Sequence, residues 1–289
     1  MVNGERWTRS GVRLRRASQS REGWNWLFVP GGPGLGSQSV AGLARAAEVP
    51  GTAWLVDLPG EGSNRGVPQV PDRPYERWPH VLLEAVEAFD DVVMVGHSTG
   101  GMFLLALPEL EARLAGLCLV SSAPHAGWRQ TFSQWAEAHP IPGLGRAAKA
   151  YAQDPNDDTL RALTLAAAEW NFTPTGLAAG RALLENLPYC HAAAAWADAH
   201  FDDTYQARWK PGNGGPATLI VSGAEDHVVD QGLWQDDEAS THPRVLRRTI
   251  EGAGHFPWIE NPQEVRAAFA DLTALLASRR ARGGYTSAP

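Results

Sequence analysis

The segment with the clearest chemical capacity is Gly96-His97-Ser98-Thr99-Gly100-Gly101, which follows an apolar run at residues 92–95. A Gly-x-Ser-x-Gly between a buried strand and a helix forces a turn so tight that residues two before and two after the serine must be small. The serine is left on strained backbone with its hydroxyl outward, and the Thr99 amide, at the helix start, faces any oxyanion formed there. A serine hydroxyl is a weak nucleophile until a base takes its proton. Of the nine histidines, His97 sits on the turn itself, where side chains diverge, and reads as structural. His125, His139, His191 and His200 fall in a helical stretch as surface or pocket-lining groups, and His80 and His242 have no convergent partners. His255 lies in Gly252-Ala253-Gly254-His255-Phe256-Pro257, a glycine-rich loop after the strand-like Val245–Ile250 and directly before the last helix. It is the candidate base.

An acid must hold that imidazole in the right tautomer and stabilise the imidazolium. Ser222-Gly223-Ala224-Glu225-Asp226 follows another buried run and offers Asp226, with Glu225 and Asp230 as competitors. A second oxyanion donor should come from a loop after an earlier strand, and Pro30-Gly31-Gly32-Pro33-Gly34 supplies it. Gly32 is the expected amide donor, because Pro33 carries no amide hydrogen. A phosphate-cradling reading of this loop fails: Ser37 stands where a further glycine is needed, and no Gly-Lys-Ser/Thr occurs.

These residues need a scaffold that brings distant loops together. Apolar runs at Trp24–Val29, 54–56, 92–95, 117–120 and 218–221 are bounded by Gly, Pro, Ser or Asp, and most do not alternate with polar residues. Strands covered on both faces have this pattern, which predicts a parallel sheet between helical layers. Trp78, Leu82, Ala85, Val86 and Phe89 are at helical spacing, with Pro79 in the first turn. Val265, Ala268, Phe269, Leu272 and Leu276 form a second stripe, opened by Asn261-Pro262. Alternating strands and helices predict an α/β fold with its ligand site outside the carboxyl ends of the strands. Residues 7–20 are expected to form an antiparallel hairpin at the sheet edge, and residues 279–289 a frayed tail.

Residues 124–210 break the alternation. They contain no convincing strand, hold alanine-rich stretches of high helix propensity, and carry Trp128, Trp135, Trp170, Trp196 and Trp209 of the chain's twelve tryptophans. They are read as a helical cap inserted over the strand ends, with residues 1–123 and 211–289 as the core. Most of these tryptophans are expected to pin the insertion down.

Composition narrows the function. The chain has 289 residues, 44% hydrophobic and 20% charged, with 25 basic against 32 acidic residues and a net charge of −7. That balance argues against nucleic-acid binding, which usually shows a basic stripe. No apolar run reaches the roughly 18 residues of a membrane span, and the polar, arginine-rich residues 1–20 do not read as a secretory signal. Cys118 and Cys190 make no disulfide framework, Cys118 reading as a small buried hydrophobe. The expectation is a cytoplasmic protein, monomer or homodimer, acting on a small molecule with no cofactor and no metal.

Taken together, Gly31-Gly32-Pro33-Gly34, Asp57-Leu58-Pro59-Gly60-Glu61-Gly62-Ser63, the turn at Ser98, Gly223-Ala224-Glu225-Asp226 and Gly254-His255 leading to Glu260-Asn261-Pro262 resemble the α/β-hydrolase superfamily over nearly the whole chain. The order Ser98, Asp226, His255 is that superfamily's order. The resemblance implies a mostly parallel eight-stranded sheet flanked by helices, with a helical cap. It also implies that the 57–63 loop shapes the pocket wall, with Asp57 structural. The Gly-Gly-Pro-Gly loop looks most like that of proline iminopeptidases. Pro30 and Thr99 depart from the histidine and tryptophan those enzymes usually carry, and Glu169 is the candidate for the amine-binding acid they need. A serine at position 98 excludes the branches that use a nucleophilic aspartate there.

The sequence thus predicts a serine hydrolase, foremost a carboxylesterase on small to medium esters, working through an acyl-enzyme. Ser98 is the nucleophile, His255 the base and Asp226 its orienting acid, with Gly32 and Thr99 as oxyanion donors. Three alternatives stand beside it: an iminopeptidase-like aminopeptidase, a carbon–carbon bond hydrolase or lyase on the same triad, and a weakly hydrolytic ligand receptor.

Overall fold

The computed structural model describes residues 4–20, 22–71, 74–212, 215–235 and 242–283. Eight strands form one sheet: β1 (Glu5–Trp7), β2 (Arg13–Gln19), β3 (Trp24–Val29), β4 (Gly51–Asp57), β5 (Val92–His97), β6 (Gly116–Val120), β7 (Ala217–Gly223) and β8 (Val245–Ile250). Their spatial order is β1-β2-β4-β3-β5-β6-β7-β8. The hairpin β1–β2 pairs antiparallel and closes one edge against β4, while every pairing from β4 through β3 to β8 is parallel. This is the α/β-hydrolase fold that the sequence predicts.

The two-residue period of a strand explains why the apolar runs are continuous. On β3, Trp26 and Phe28 enter one core and Leu27 and Val29 the other. On β5, Val93 and Val95 part in the same way from Val92 and Met94. Helices α1 (Ala41–Ala46) and α11 (Pro262–Gly283) cover the first face. Helices α2 (Trp78–Glu87) and α3 (Thr99–Leu105) cover the second. Cys118 lies wholly buried on β6, and burial raises its thiol well above the ordinary range. Pro79 sits in the first turn of α2, where its missing amide hydrogen costs nothing. On α11, Val265, Ala268, Phe269, Leu272 and Leu276 are all buried.

The tail expectation is corrected in part. Helix α11 continues through Gly283, held there by Arg280, which pairs with Asp91 at 3.2 Å and lies over the Trp24 ring. Residues 284–289 lie outside the described residues.

Between β6 and β7 the described residues form six α-helices: α4 (Trp128–Ala138), α5 (Leu144–Gln153), α6 (Asp157–Ala166), α7 (Ala168–Asn171), α8 (Leu177–Glu185) and α9 (His191–His200). An isolated antiparallel bridge, His125 to Gln206, joins the two ends of this stretch, with Ala126 N donating to Tyr205 O at 2.9 Å. The short helix α10 (Pro257–Glu260) precedes α11. No helix among the described residues is long and apolar enough to cross a membrane.

Candidate active site

Strands β3, β5, β7 and β8 end together, at Val29, His97, Gly223 and Ile250, so their following loops share one edge of the sheet. Ser98 caps α3 with φ 51° and ψ −125°, a conformation that costs a non-glycine residue about 1–3 kcal/mol. The surroundings enforce it. Ser98 N donates to Val120 O at 2.9 Å, and the Ser122 hydroxyl donates to Ser98 O at 2.9 Å. A Cβ on Gly96 would lie 2.5 Å from the Gly101 backbone, and one on Gly100 would strike the Pro30 carbonyl oxygen. The small residues flanking Ser98 are therefore a packing requirement between three backbone segments.

The β3 loop passes directly beside this turn. A Cβ on Gly31 would lie 2.7 Å from the Ser98 Cβ, so the chain there has no room for a side chain. Gly32 adopts φ 119°. The Thr99 hydroxyl is 3.4 Å from Gly32 O, tying the two segments that carry the expected oxyanion amides. Thr99 opens α3, and amides in the first turn of a helix have no acceptor within it.

His255 and Asp226 meet. His255 Nδ1 lies 3.0 Å from Asp226 Oδ1 and 3.1 Å from Oδ2, with side chains 5% and 0% exposed. An ionised carboxylate only accepts, so the shared proton belongs to Nδ1 and the lone pair of Nε2 is left for chemistry. Asp226 Oδ1 also accepts from the amides of Val228 and Val229, at 3.1 and 3.0 Å. Both competing acids point elsewhere: Glu225 is exposed, and exposed Asp230 caps the following turn through Gly232 N at 2.6 Å.

His97 is buried against its neighbours, its ring 4.9 Å from that of His255 and 4.8 Å from Trp258. Burial and the adjacent His255 hold it neutral, well below the usual histidine range. Its Nε2 lies 3.0 Å from His255 O and donates to that carbonyl. His97 braces the loop of the candidate base, as its structural reading implies.

Two supports escaped the sequence reading. Glu260 accepts from Gly254 N at 2.7 Å and from Thr173 N at 2.7 Å, and Asn171 O accepts from His255 N at 2.9 Å. The helical stretch thus grips the histidine loop. Glu260 stands in the Glu260-Asn261-Pro262 motif, but its partner Thr173 lies 87 residues away in sequence. Asp57 is buried and accepts from Arg15 Nε at 2.5 Å and from Ser63 Oγ at 3.0 Å, with Ser37 also bonded to it.

The five tryptophans of the stretch divide. Trp209 is buried and donates to Leu104 O at 2.8 Å, Trp196 meets Trp78 edge-on, and Trp128 packs on the core. Trp135 lies half-buried between His139 and His227, 4.4 Å from each ring, above the loop that carries Asp226. Trp170 meets Phe132 at 5.4 Å, next to Asn171. Glu169 is half-exposed and paired with Arg181 at 3.5 Å. A cavity of about 620 Å³ between α4 and α9 is lined by Trp128, Phe132, Asp198 and Asp202 but by none of Ser98, Asp226 and His255. Among the described residues, no group of three or more His, Cys, Asp or Glu could hold a metal ion.

A sequence model described as the alpha/beta hydrolase family matches residues 26–268. Among curated proteins, a pimeloyl-[acyl-carrier protein] methyl ester esterase of Stenotrophomonas maltophilia is 26% identical over 234 residues, covering 78% of this chain and 83% of that protein. Among solved structures, a proline iminopeptidase-related protein of Thermus thermophilus superposes with TM-score 0.71 at 19% identity, covering 96% of this chain and 99% of that one. An esterase of Thermogutta terrifontis superposes with TM-score 0.66 at 18% identity, covering 94% and 98%.

Proposed function

Because this chain belongs to the alpha/beta hydrolase family, we propose that it is a serine carboxylesterase that cleaves small to medium esters through an acyl-enzyme. The observation that carries the reading is the buried His255–Asp226 pair beside the strained Ser98 turn. Ser98 Oγ attacks the ester carbonyl carbon while His255 Nε2 takes its proton. The charge gathering on the carbonyl oxygen is met by the amides of Thr99 and Gly32, a term worth ~3 kcal/mol per donor in such sites. The imidazolium, stabilised by Asp226, hands the proton to the departing alcohol. Water, activated by the same Nε2, then attacks the acyl group, and Ser98 regains its hydrogen as the acid leaves. Proton traffic passes through His255 alone, and the cycle calls for no cofactor.

The helices of residues 124–210 act in this reading as the cap. Trp135, above the loop that carries Asp226, bounds the acyl side of the site in this reading, while Trp170 ties α7 to the end of α4 by donating to His139 O at 2.8 Å. Methyl ester esterases among the relatives favour an ester substrate. The aminopeptidase alternative is weakened by Glu169, whose pairing with Arg181 near the surface leaves it poorly placed for a buried amine.

Fluorophosphonate labelling of the wild type against Ser98→Ala, with 4-nitrophenyl esters from acetate to octanoate, tests the proposal. Stoichiometric labelling lost in the variant, with turnover that depends on chain length, is the expected result. A well-folded wild type that does not label sinks it.

A further inference from the structure

Glu61 belongs to no step derived above, yet it is a fully buried carboxyl group directly beneath the oxyanion loop. Its Oε1 accepts from Gly34 N at 2.6 Å and from Gly36 N at 3.2 Å. Two amides of one loop turned toward the same anion make a nest-like cradle. Here the occupant is a side chain of the same protein, delivered by the turn after β4. Its second oxygen, Oε2, is buried with no hydrogen-bond partner. Keeping half a carboxylate unsatisfied in the interior carries a penalty that surface packing does not require.

The opposite side of the loop is held as well. Cys190 N donates to Gly34 O at 2.8 Å, and a Cβ on Gly36 would lie 2.9 Å from the Gly62 Cα and 3.0 Å from Pro188. The loop is caught between the Glu61–Gly62 turn and the approach to α9. Gly32, two residues before the first clamped amide, inherits its position from this grip.

We propose that Glu61 is a positioning residue for the oxyanion site, fixing the Gly31–Gly36 backbone so that the Gly32 amide points at the developing charge. This rests on the serine-hydrolase reading above. Because Oε1 accepts both bonds, the clamp exists in both protonation states and is stronger when the carboxyl is ionised. Burial outweighs the amide bonds and pushes the Glu61 pKa up to about 7. Asp57 raises it further and is itself neutralised by Arg15, while Tyr75 is held protonated by its own burial and by Cys190, with Arg65 beside them. The grip therefore tightens as pH rises through neutrality.

The test uses the full chain. With saturating 4-nitrophenyl acetate, Glu61→Leu, which removes both acceptors, should lower kcat on the order of tenfold to a hundredfold. That is less than the loss of an oxyanion donor outright, and KM should stay within about threefold. Glu61→Gln keeps an acceptor and mimics the protonated acid. It should recover most of the rate. In Ser98→Ala, the Gly34 and Gly36 amide resonances should titrate near pH 7, and adding Glu61→Gln should abolish that titration. Wild-type kcat in Glu61→Leu, or a change confined to KM, overturns the proposal, as do amides that ignore pH. If Glu61→Leu does not fold, the glutamine variant and the resonances decide. Failure of Ser98 to take fluorophosphonate overturns the hydrolase reading and the positioning role with it. The amide titration reads the clamp separately, so the two failures are distinguishable.

Discussion

The loops at the carboxyl edge of the sheet and the helices between β6 and β7 hold their residues by different means. Around Ser98, backbone meets backbone: Gly96 against Gly101, Gly100 against Pro30, Gly31 against Ser98. His255, Asp226 and Glu61 are all buried and bonded to fixed amides or to one another. In helices α4, α5 and α6 no residue is buried. Ion pairs there, such as Arg129 with Asp198 at 2.9 Å and Arg161 with Asp158 at 3.4 Å, lie partly in solvent, where each is worth little. The first region is built to one geometry, as electrostatic preorganisation demands. The second, with no buried residue in three of its helices, has fewer contacts for a substitution to break.

The contrast is broken most directly at the reacting groups. Ser98→Ala is expected to lower kcat/KM for 4-nitrophenyl acetate by about 10⁴–10⁶, with an unchanged melting temperature. Asp226→Asn should cost about 10⁴ by favouring the wrong imidazole tautomer. Glu225→Gln and Asp230→Asn should leave the rate within twofold, since neither carboxylate reaches His255. A large loss in either of these would move the acid away from Asp226.

A second comparison needs no substrate. Gly100→Ala places a methyl group against the Pro30 and Val29 carbonyl oxygens, backbone that cannot step aside. Overpacking of this kind costs typically 1–3 kcal/mol and sometimes more, and the upper end is expected. Gly145 lies on α5 with nothing within 4 Å of a would-be Cβ. Gly145→Ala should therefore stabilise by roughly 0.5–1 kcal/mol through helix propensity. Urea unfolding midpoints of the two variants check both signs, and equal effects would erase the distinction between the regions.

The same difference explains what could be read in the sequence. Strands β3, β5, β6 and β7 were legible because both faces are covered and the apolar runs are unbroken. The turns that carry Ser98, Asp226 and His255 were legible because each is short, glycine-marked and at the end of such a run. Glu61 and Glu260 carried no role in the sequence, since their partners are mostly backbone amides, which have no residue signature. The edge strand β2, with four of its seven residues exposed, gave only a weak alternating pattern. In the insertion, composition announced helices but not which tryptophans would face the core. Trp196 and Trp135 look alike in sequence, and only packing separates the one against Trp78 from the one above His227.

That separation singles out Trp135 for substitution. It is half-buried, so truncation should leave the fold nearly as stable as before. Its ring covers the Asp226 loop, so Trp135→Ala should change the ratio of kcat/KM for octanoate over acetate esters by about tenfold, the scale of an altered apolar pocket contact. An unchanged ratio would remove it from the acyl wall.

The smallest expected effect decides between substrate classes. Glu169 and Arg181 are about half-exposed and 3.5 Å apart, so Glu169→Gln should alter stability by less than about 1 kcal/mol. In an esterase the same change should leave ester turnover untouched across chain lengths, because the carboxylate has no buried amine to hold. An aminopeptidase would answer differently: proline β-naphthylamide would be a substrate, and losing the charge that receives its ammonium group would raise KM strongly. Wild-type cleavage of the amide that collapses in Glu169→Gln would transfer the Ser98 machinery from esters to amino-terminal proline. Turnover of esters alone, indifferent to position 169, places specificity on the aromatic side of the cap rather than its charged rim.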